Sequence, residues 1–223
     1  EPEGITSAAV VVSAARRVQS VQEVSTSVSL VDAQQIAERA LTRLDEVLRY
    51  VPGVVVTGSQ VSIRGSSGFS YGLGSRVLLL IDNFPALSAD NGDMSFDALP
   101  IADIERIEVI KGAGSALYGT SALGGVVNVL TRDASPAPEL RVRALGGLWT
   151  LPRYTTWQYR SDPPRLGAVD LSGSATMGTI HVLAAGGYRN DESYRDYNDS
   201  RRWYTFGKLT YDLSAASELS AIV

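Results

Sequence analysis

The sequence predicts an α+β domain with a small mixed four-stranded sheet over residues 21–135, followed over 136–223 by antiparallel membrane-type β-strands; residues 1–20 form a separate N-terminal segment. Three observations carry this reading. Short β-rich runs and two short helical patterns are interleaved in the first part of the chain. A glycine- and serine-rich connector joins two apolar strands near its end. Beyond 133–138 (DASPAP) the pattern changes to long stretches in which apolar and polar residues alternate one by one, with connections that are short and long in turn.

Composition sets the outer bounds. The 223 residues are 44% hydrophobic and 20% charged, which is ordinary for a folded protein and excludes wholesale disorder. Twenty basic against twenty-four acidic residues give a net charge of −4, with no long basic run and hence no electrostatic footprint for nucleic acid. The absence of cysteine excludes a disulfide framework and thiol-held metals. No run approaches the roughly 18 apolar residues of a membrane-spanning helix, a test that a β-barrel escapes. No secretory leader is visible at Glu1, so the expectation is either a trimmed, mature chain or a soluble one.

Residues 1–9 are small and polar. Ala9, Val10, Val11, Val12, Ser13 and Ala14 then form a short β-prone run ahead of Arg16 and Arg17. Such a run near a free end can add as a strand to a partner's sheet, and it can equally be a plain first strand. Residues 25–31 (STSVSLV) alternate as a strand, and Asp32 is placed to cap a helix over 33–40. A second helix over 44–50 puts Leu44, Val47, Leu48 and Val51 on one face and is stopped by Pro52 and Gly53. Val54 to Val56 and Val61 to Ile63 read as a hairpin turning through Thr57, Gly58, Ser59 and Gln60. Val77 to Ile81 is a wholly apolar strand, 84–99 a long connection tipped at Asn91 and Gly92, and 100–106 a helical turn. Asp90, Asn91 and Asp93 lack the EF-hand spacing, and an Asx-rich turn is the commoner meaning of such a cluster.

The connector is IEVIKGAGSALYGTSALGGVVNVL (107–130). Ile107, Val109 and Ile110 form one short strand, and Val126, Val127, Val129 and Leu130 another. A phosphate-binding loop is excluded by spacing, since no Gly-Lys-Ser/Thr ends the segment and Leu117 stands where a dinucleotide fingerprint needs glycine. With its continuation Thr131 and Arg132, this stretch resembles the end of the plug domain of TonB-dependent outer-membrane receptors. LDEVLRYVPGV (44–54), VSIRG (61–65) and VLLLIDN (77–83) resemble earlier blocks of that family in the same order. Lys111 replaces the family's usual arginine and Ala113 its usual proline.

The resemblance implies a truncated transmembrane β-barrel of about 22 strands behind the plug. It implies that Ala9 to Ala14 is the TonB box, gripped by TonB with the inner-membrane ExbB and ExbD proton-driven complex. It implies that Arg64 and Lys111 lock plug to barrel, although Arg64 alone would read as a surface charge. Ser59, Gln60, Leu87, Ser88, Asp90 and Asn91 become the expected apical contacts for a ferric siderophore, a cobalamin or a similar scarce nutrient. The implied location is the outer membrane of a Gram-negative bacterium, with no cofactor.

Beyond 138 the strands read directly from alternation. Leu140, Val142 and Ala144 share one face, as do Val169, Leu171, Gly173 and Ala175, then Ile180, Val182, Ala184 and Gly186, then Trp203, Thr205, Gly207, Leu209 and Tyr211. Segments of about nine residues with aromatics near their ends are the mark of membrane strands. The connections at 177–179 and 212–218 are short, and those at 148–168 and 189–202 long and polar. A soluble one-sided sheet, the reading of a periplasmic or surface ligand-binding module, explains the alternation but not this loop asymmetry. Only about four and a half strands are present, and an open edge in lipid leaves backbone groups unpaired at several kcal/mol each, so a fragment is expected. His181, the only histidine, falls on the polar face with no second histidine in its pattern and reads as a lumen-facing residue rather than a metal ligand. No Ser-His-Asp arrangement and no HExxH motif is present, so no enzyme is expected.

Overall fold

The computed structural model describes residues 11–12, 19–20, 26–66, 76–87, 94, 96, 99–193, 195, 198–214 and 217–223. The chain divides into two compact units. The first is drawn from Glu1–Arg39, Asp45–Phe96 and Ile104–Thr131, and the second from Ala40–Leu44, Asp97–Asp103 and Arg132–Val223.

The N-terminal segment contributes two short strands, β1 (Val11–Val12) and β2 (Gln19–Ser20), paired antiparallel. The main sheet of the first unit follows from β3 (Ser27–Asp32), β6 (Val77–Ile81), β7 (Phe84–Pro85), β8 (Ile104–Lys111) and β9 (Gly125–Thr131). Its order is β3-β8-β9-β6-β7, mixed, with β6 parallel to β9 and the other pairs antiparallel. Four strands match the expected sheet. The fifth is the two-residue edge strand β7, formed because Asp82 and Asn83 take positive φ values of 46° and 70° and fold β6 back on itself. Asp and Asn tolerate that left-handed region better than other residues with a side chain. Where a long connection was expected from Phe84, the chain therefore first makes a tight hairpin. The helical turn expected over 100–106 is also shorter. A 3₁₀ turn covers Ile101–Asp103, and β8 already begins at Ile104, which pairs with Thr131.

The helices start where the sequence places them. The Asp32 side chain accepts the Gln35 N–H at 2.8 Å and caps α1 (Ala33–Glu38), which ends before Ala40 turns to positive φ. α2 (Leu44–Arg49) follows, and β4 (Val54–Thr57) and β5 (Gln60–Ile63) form the expected hairpin. α3 (Ser115–Tyr118) lies in the connector. Leu78, Leu80, Ile110, Ala122 and Val126 make one core cluster, with Val28, Leu30, Leu87 and Tyr118 packed on it. β6 is buried on both faces from Val77 to Leu80, which is why it is apolar throughout. The glycine pair ending the connector is fixed by space. A Cβ at Gly125 would stand 2.5 Å from the Ile110 carbonyl, and one at Gly124 would stand 2.3 Å from the Ser66 hydroxyl.

The second unit is a meander of β10 (Glu139–Leu148), β11 (Arg165–Met177), β12 (Ile180–Asp191), β13 (Ser200–Ser214) and β14 (Ser217–Ile222), each antiparallel to the next. The strands β10 to β13, of 10, 13, 12 and 15 residues, are longer than the expected nine, whereas β14 has six. At about 3.3 Å per residue and a tilt near 45°, a strand the length of β11 rises about 30 Å, the thickness of a bilayer core. The polar-in pattern is plain on β11, where Asp170, Ser172 and Ser174 are buried while Val169 and Leu171 are exposed. On β10, Leu140 is 71% exposed and on β13 Trp203 is 79% exposed. The exposed face is mainly apolar, and the buried face carries polar side chains beside Leu183, Tyr204 and Phe206, a pattern unlike that of a soluble one-sided sheet.

Candidate functional site

In the N-terminal segment the expected TonB box is described only at Val11 and Val12, whose backbones pair with Ser20 and Gln19. Ala9, Val10, Ser13 and Ala14 lie outside the described residues.

The expected apical residues divide. Ser59 sits at the tip of the β4–β5 hairpin, and its carbonyl accepts the Met94 N–H at 3.3 Å. Leu87 forms an antiparallel bridge with the same Met94. The hairpin tip and the start of the long connection therefore meet through one buried methionine. Gln60 is buried at the first position of β5, so its side chain is not presented. Ser88, Asp90 and Asn91 lie outside the described residues.

The two expected lock residues are neighbours in charge. Lys111, at the end of β8, donates from Nζ to the Pro52 carbonyl at 2.7 Å. Burial pushes its ammonium below the usual lysine value, and the Arg64 guanidinium adds to that. Arg64 is exposed, follows β5 directly and has φ of 52°, with its N–H bonded to the Gly53 carbonyl at 2.8 Å.

In the second unit, polar residues of the alternating strands meet partners that the alternation did not reveal. Arg132 Nε donates to Asp103 Oδ1 at 2.6 Å, and its Nη1 to Ser174 Oγ at 3.0 Å and Glu139 Oε2 at 3.4 Å. Ser172 Oγ donates to the same Asp103 oxygen at 2.8 Å, and Asp103 is 1% exposed. One row further along, Tyr204 donates its hydroxyl proton to Asp170 Oδ1 at 2.6 Å. Their strands are bridged by Gly187, which pairs with both; a Cβ there would stand 2.4 Å from the Tyr204 ring and 2.8 Å from Asp170. His181 has a carboxylate partner that the sequence pattern did not reveal: Nε2 lies 2.8 Å from Asp212 Oδ2, and Nδ1 lies 3.1 Å from Thr176 Oγ1. Among the described residues no group of three or more His, Cys, Asp or Glu side chains is placed to hold a metal ion.

At the long-loop end the two connections are cross-tied. Trp149 donates its indole N–H to Asp191 at 2.7 Å, Tyr159 its hydroxyl to the Ser193 carbonyl at 2.8 Å, and Arg160 pairs with Glu192 at 3.1 Å. The Arg165 N–H, with Arg160, holds the Glu192 carboxyl below the usual carboxylate range. Facing out below these loops, the Tyr188 and Trp203 rings pack at 4.4 Å, and Tyr211 is exposed toward the short-turn end. Aromatics at both ends of the strands are the membrane-interface belt.

Residues 20–126 match the TonB-dependent receptor plug domain. The chain carries a TonB-dependent receptor plug domain. The chain is similar to the vitamin B12 transporter BtuB of Vibrio vulnificus, 42% identical over 138 residues, which are 61% of this chain and 22% of that protein. BtuB of Photobacterium profundum is 35% identical over 143 residues, 61% of this chain and 23% of that protein. The chain thus spans about a quarter of the length of these curated relatives. Among solved receptors, the siderophore receptor PirA from Pseudomonas aeruginosa superposes with a TM-score of 0.66 at 25% identity, covering 87% of this chain and 32% of that one. The ferripyoverdine receptor of the same organism superposes at 0.69 with 21% identity over 96% of this chain and 27% of that one, a likeness of fold.

Proposed function

We propose that this chain is the plug and opening barrel strands of a transporter that takes up a scarce nutrient, a ferric siderophore, cobalamin or similar molecule, across the outer membrane of a Gram-negative bacterium. The observation that carries this is the inverted strand pattern: in one chain a plug domain is followed by strands whose exposed residues are mainly apolar and whose buried face carries Asp170, Ser172 and Ser174, with Ser172 and Ser174 bonded to Asp103 and Arg132. Such a wall belongs in lipid with water inside it.

The residues take roles accordingly. Solute binds near the β4–β5 tip and the loop through Leu87, together with barrel loops. Binding there favours a state in which the segment around Val11 is available, and TonB, driven by the ExbB and ExbD complex, takes it as an added strand and pulls. Arg64 and Lys111 pair with carboxylates on the barrel wall and hold the plug until then. No reaction is catalysed; the work is transport.

The test is uptake. Cells lacking their own receptors and carrying the full receptor should accumulate labelled cyanocobalamin or a labelled ferric siderophore, and a protonophore or loss of TonB should abolish it. Uptake that persists without TonB, or no uptake of any member of a panel of cobalamins and ferric chelates, contradicts the proposal.

A further inference from the structure

The outward face of the strands differs at its two ends. Arg165 and Arg201 are exposed on it: on β11 Arg165 is in line with the exposed Val169 and Leu171, and on β13 Arg201 stands two residues before the exposed Trp203. Side chains two and four apart on a strand point the same way. Among the described residues the Arg201 guanidinium has no partner. At the short-turn end the same face presents Met177, Ile180, Tyr211, Leu213 and Leu219, all exposed, and among the described residues no lysine or arginine.

The strand sets the height of these arginines. From Tyr211 to Arg201, β13 runs about 33 Å at about 3.3 Å per residue, and at a tilt near 40° it rises about 25 Å. That is the height of the outward apolar band of a membrane barrel, so with Tyr211 at one interface Arg201 stands at the other. Tyr188 and Trp203, Cα partners with rings packed at 4.4 Å, lie one same-face step nearer the middle. Arg165 is two strands away, about 10 Å across the sheet, within joint reach of two arginine side chains. Asn190, the Cα partner of Gly167 and of Arg201, stands between them with a neutral amide. Of the acids at this rim, Glu192 is taken up by Arg160 and the Arg165 N–H, and Asp199 lies before the start of β13, further from the apolar band.

Guanidinium groups at headgroup depth, above an aromatic pair, match phosphate oxygens, which they grip with parallel bonds. We propose that Arg165 and Arg201, with Asn190 between them, form a docking surface for the phosphorylated glycolipid of the outer leaflet. The arginines hold a phosphate of its sugar headgroup, and its acyl chains lie along Val169, Leu171 and Trp203. This rests on the outer-membrane transport reading, in which the long loops, and so this rim, face outward.

The experiment is native mass spectrometry of the full receptor in nonionic detergent micelles with EDTA, titrated with diphosphoryl lipid A or with its dephosphorylated form. The wild type should bind the diphosphoryl lipid saturably and at least tenfold more tightly than the dephosphorylated one. Arg165→Gln combined with Arg201→Gln should weaken that binding at least tenfold and leave the dephosphorylated lipid bound as before. Arg201→Lys, which keeps the charge, should stay within about threefold of the wild type and guards against a mere folding defect. Equal binding of diphosphoryl lipid A by the wild type and the double variant, or no preference of the wild type for the phosphorylated lipid, overturns the proposal. Displacement of the lipid by inorganic phosphate alone also overturns it, because the site would then serve a free anion. Loss of TonB-dependent uptake by the wild type with lipid A binding intact would count against the transport reading and not against the lipid site.

Discussion

Arg132 and Asp103, 29 residues apart in the chain, meet through Nε and Oδ1 at 2.6 Å; the Arg132 N–H also donates to the Asp103 carbonyl at 2.9 Å, and the guanidinium reaches Ser172, Ser174 and Glu139. Asp103 is buried, so its charge depends on this partner and on the Ser172 hydroxyl. Arg132→Ala leaves a buried carboxylate without its cation and should cost about 3–5 kcal/mol. Arg132→Met combined with Asp103→Leu should cost clearly less than the two single changes added together. Denaturant titration of the refolded receptor checks both; additive losses would mean that the pair is not coupled.

Gly187 holds room for the Tyr204–Asp170 hydrogen bond. Gly187→Ala drives a methyl into the Tyr204 ring and should destabilise the second unit by about 1–3 kcal/mol. Because the clash is with the ring, Tyr204→Leu added to Gly187→Ala should recover part of the loss, whereas Tyr204→Phe should not. Unfolding midpoints of the four proteins decide it.

The outward apolar face gives a depth-dependent prediction. Leu171, in the middle of β11 and exposed, should cost about 2–4 kcal/mol as Leu171→Lys if it faces the bilayer midplane. Met177→Lys, beside the short turn, should cost about 1 kcal/mol or less. Folding equilibria in lipid vesicles measure this, and equal costs at the two positions would argue against a membrane-facing strand.

Lys111 predicts a pH dependence. Its folded value lies below the ordinary lysine value of 10.5, so the folded state resists the charged form and binds fewer protons than the unfolded chain across that interval. The penalty is complete below the folded value and is relieved as pH rises from there toward 10.5, so stability contributed by this group should increase with pH over that range. In Lys111→Met this alkaline increment should vanish. Stability curves of the receptor measured against pH, wild type beside variant, would reveal an unchanged slope if the lysine were not responsible.

Much of the plug was legible because its signals are local. The β6 run is apolar on both faces, Asp32 stands at a cap position, and Gly124 and Gly125 mark a close approach that only glycine permits. The β6–β7 hairpin was not legible, because its turn is held by contacts distant in sequence. Asp82 accepts the Thr131 N–H at 2.8 Å and its hydroxyl at 2.5 Å, while the Asn128 amide donates to Asn83 at 3.0 Å. The barrel strands were visible as alternation, but their inner-wall pairs were not. Tyr204 with Asp170, and His181 with Asp212, depend on which strands lie side by side and in what register. Alternation gives the face of a residue and leaves its cross-strand partner open.

The central claim is energy coupling through the N-terminal segment, and calorimetric titration of the periplasmic domain of TonB with a peptide covering residues 1–22 tests it most directly. Binding by strand addition should be measurable for the native peptide and lost for Val11→Pro, since proline removes a backbone donor from the added strand. Equal binding of both peptides, or none by the native one, would contradict the assignment of this segment as the point where TonB takes hold.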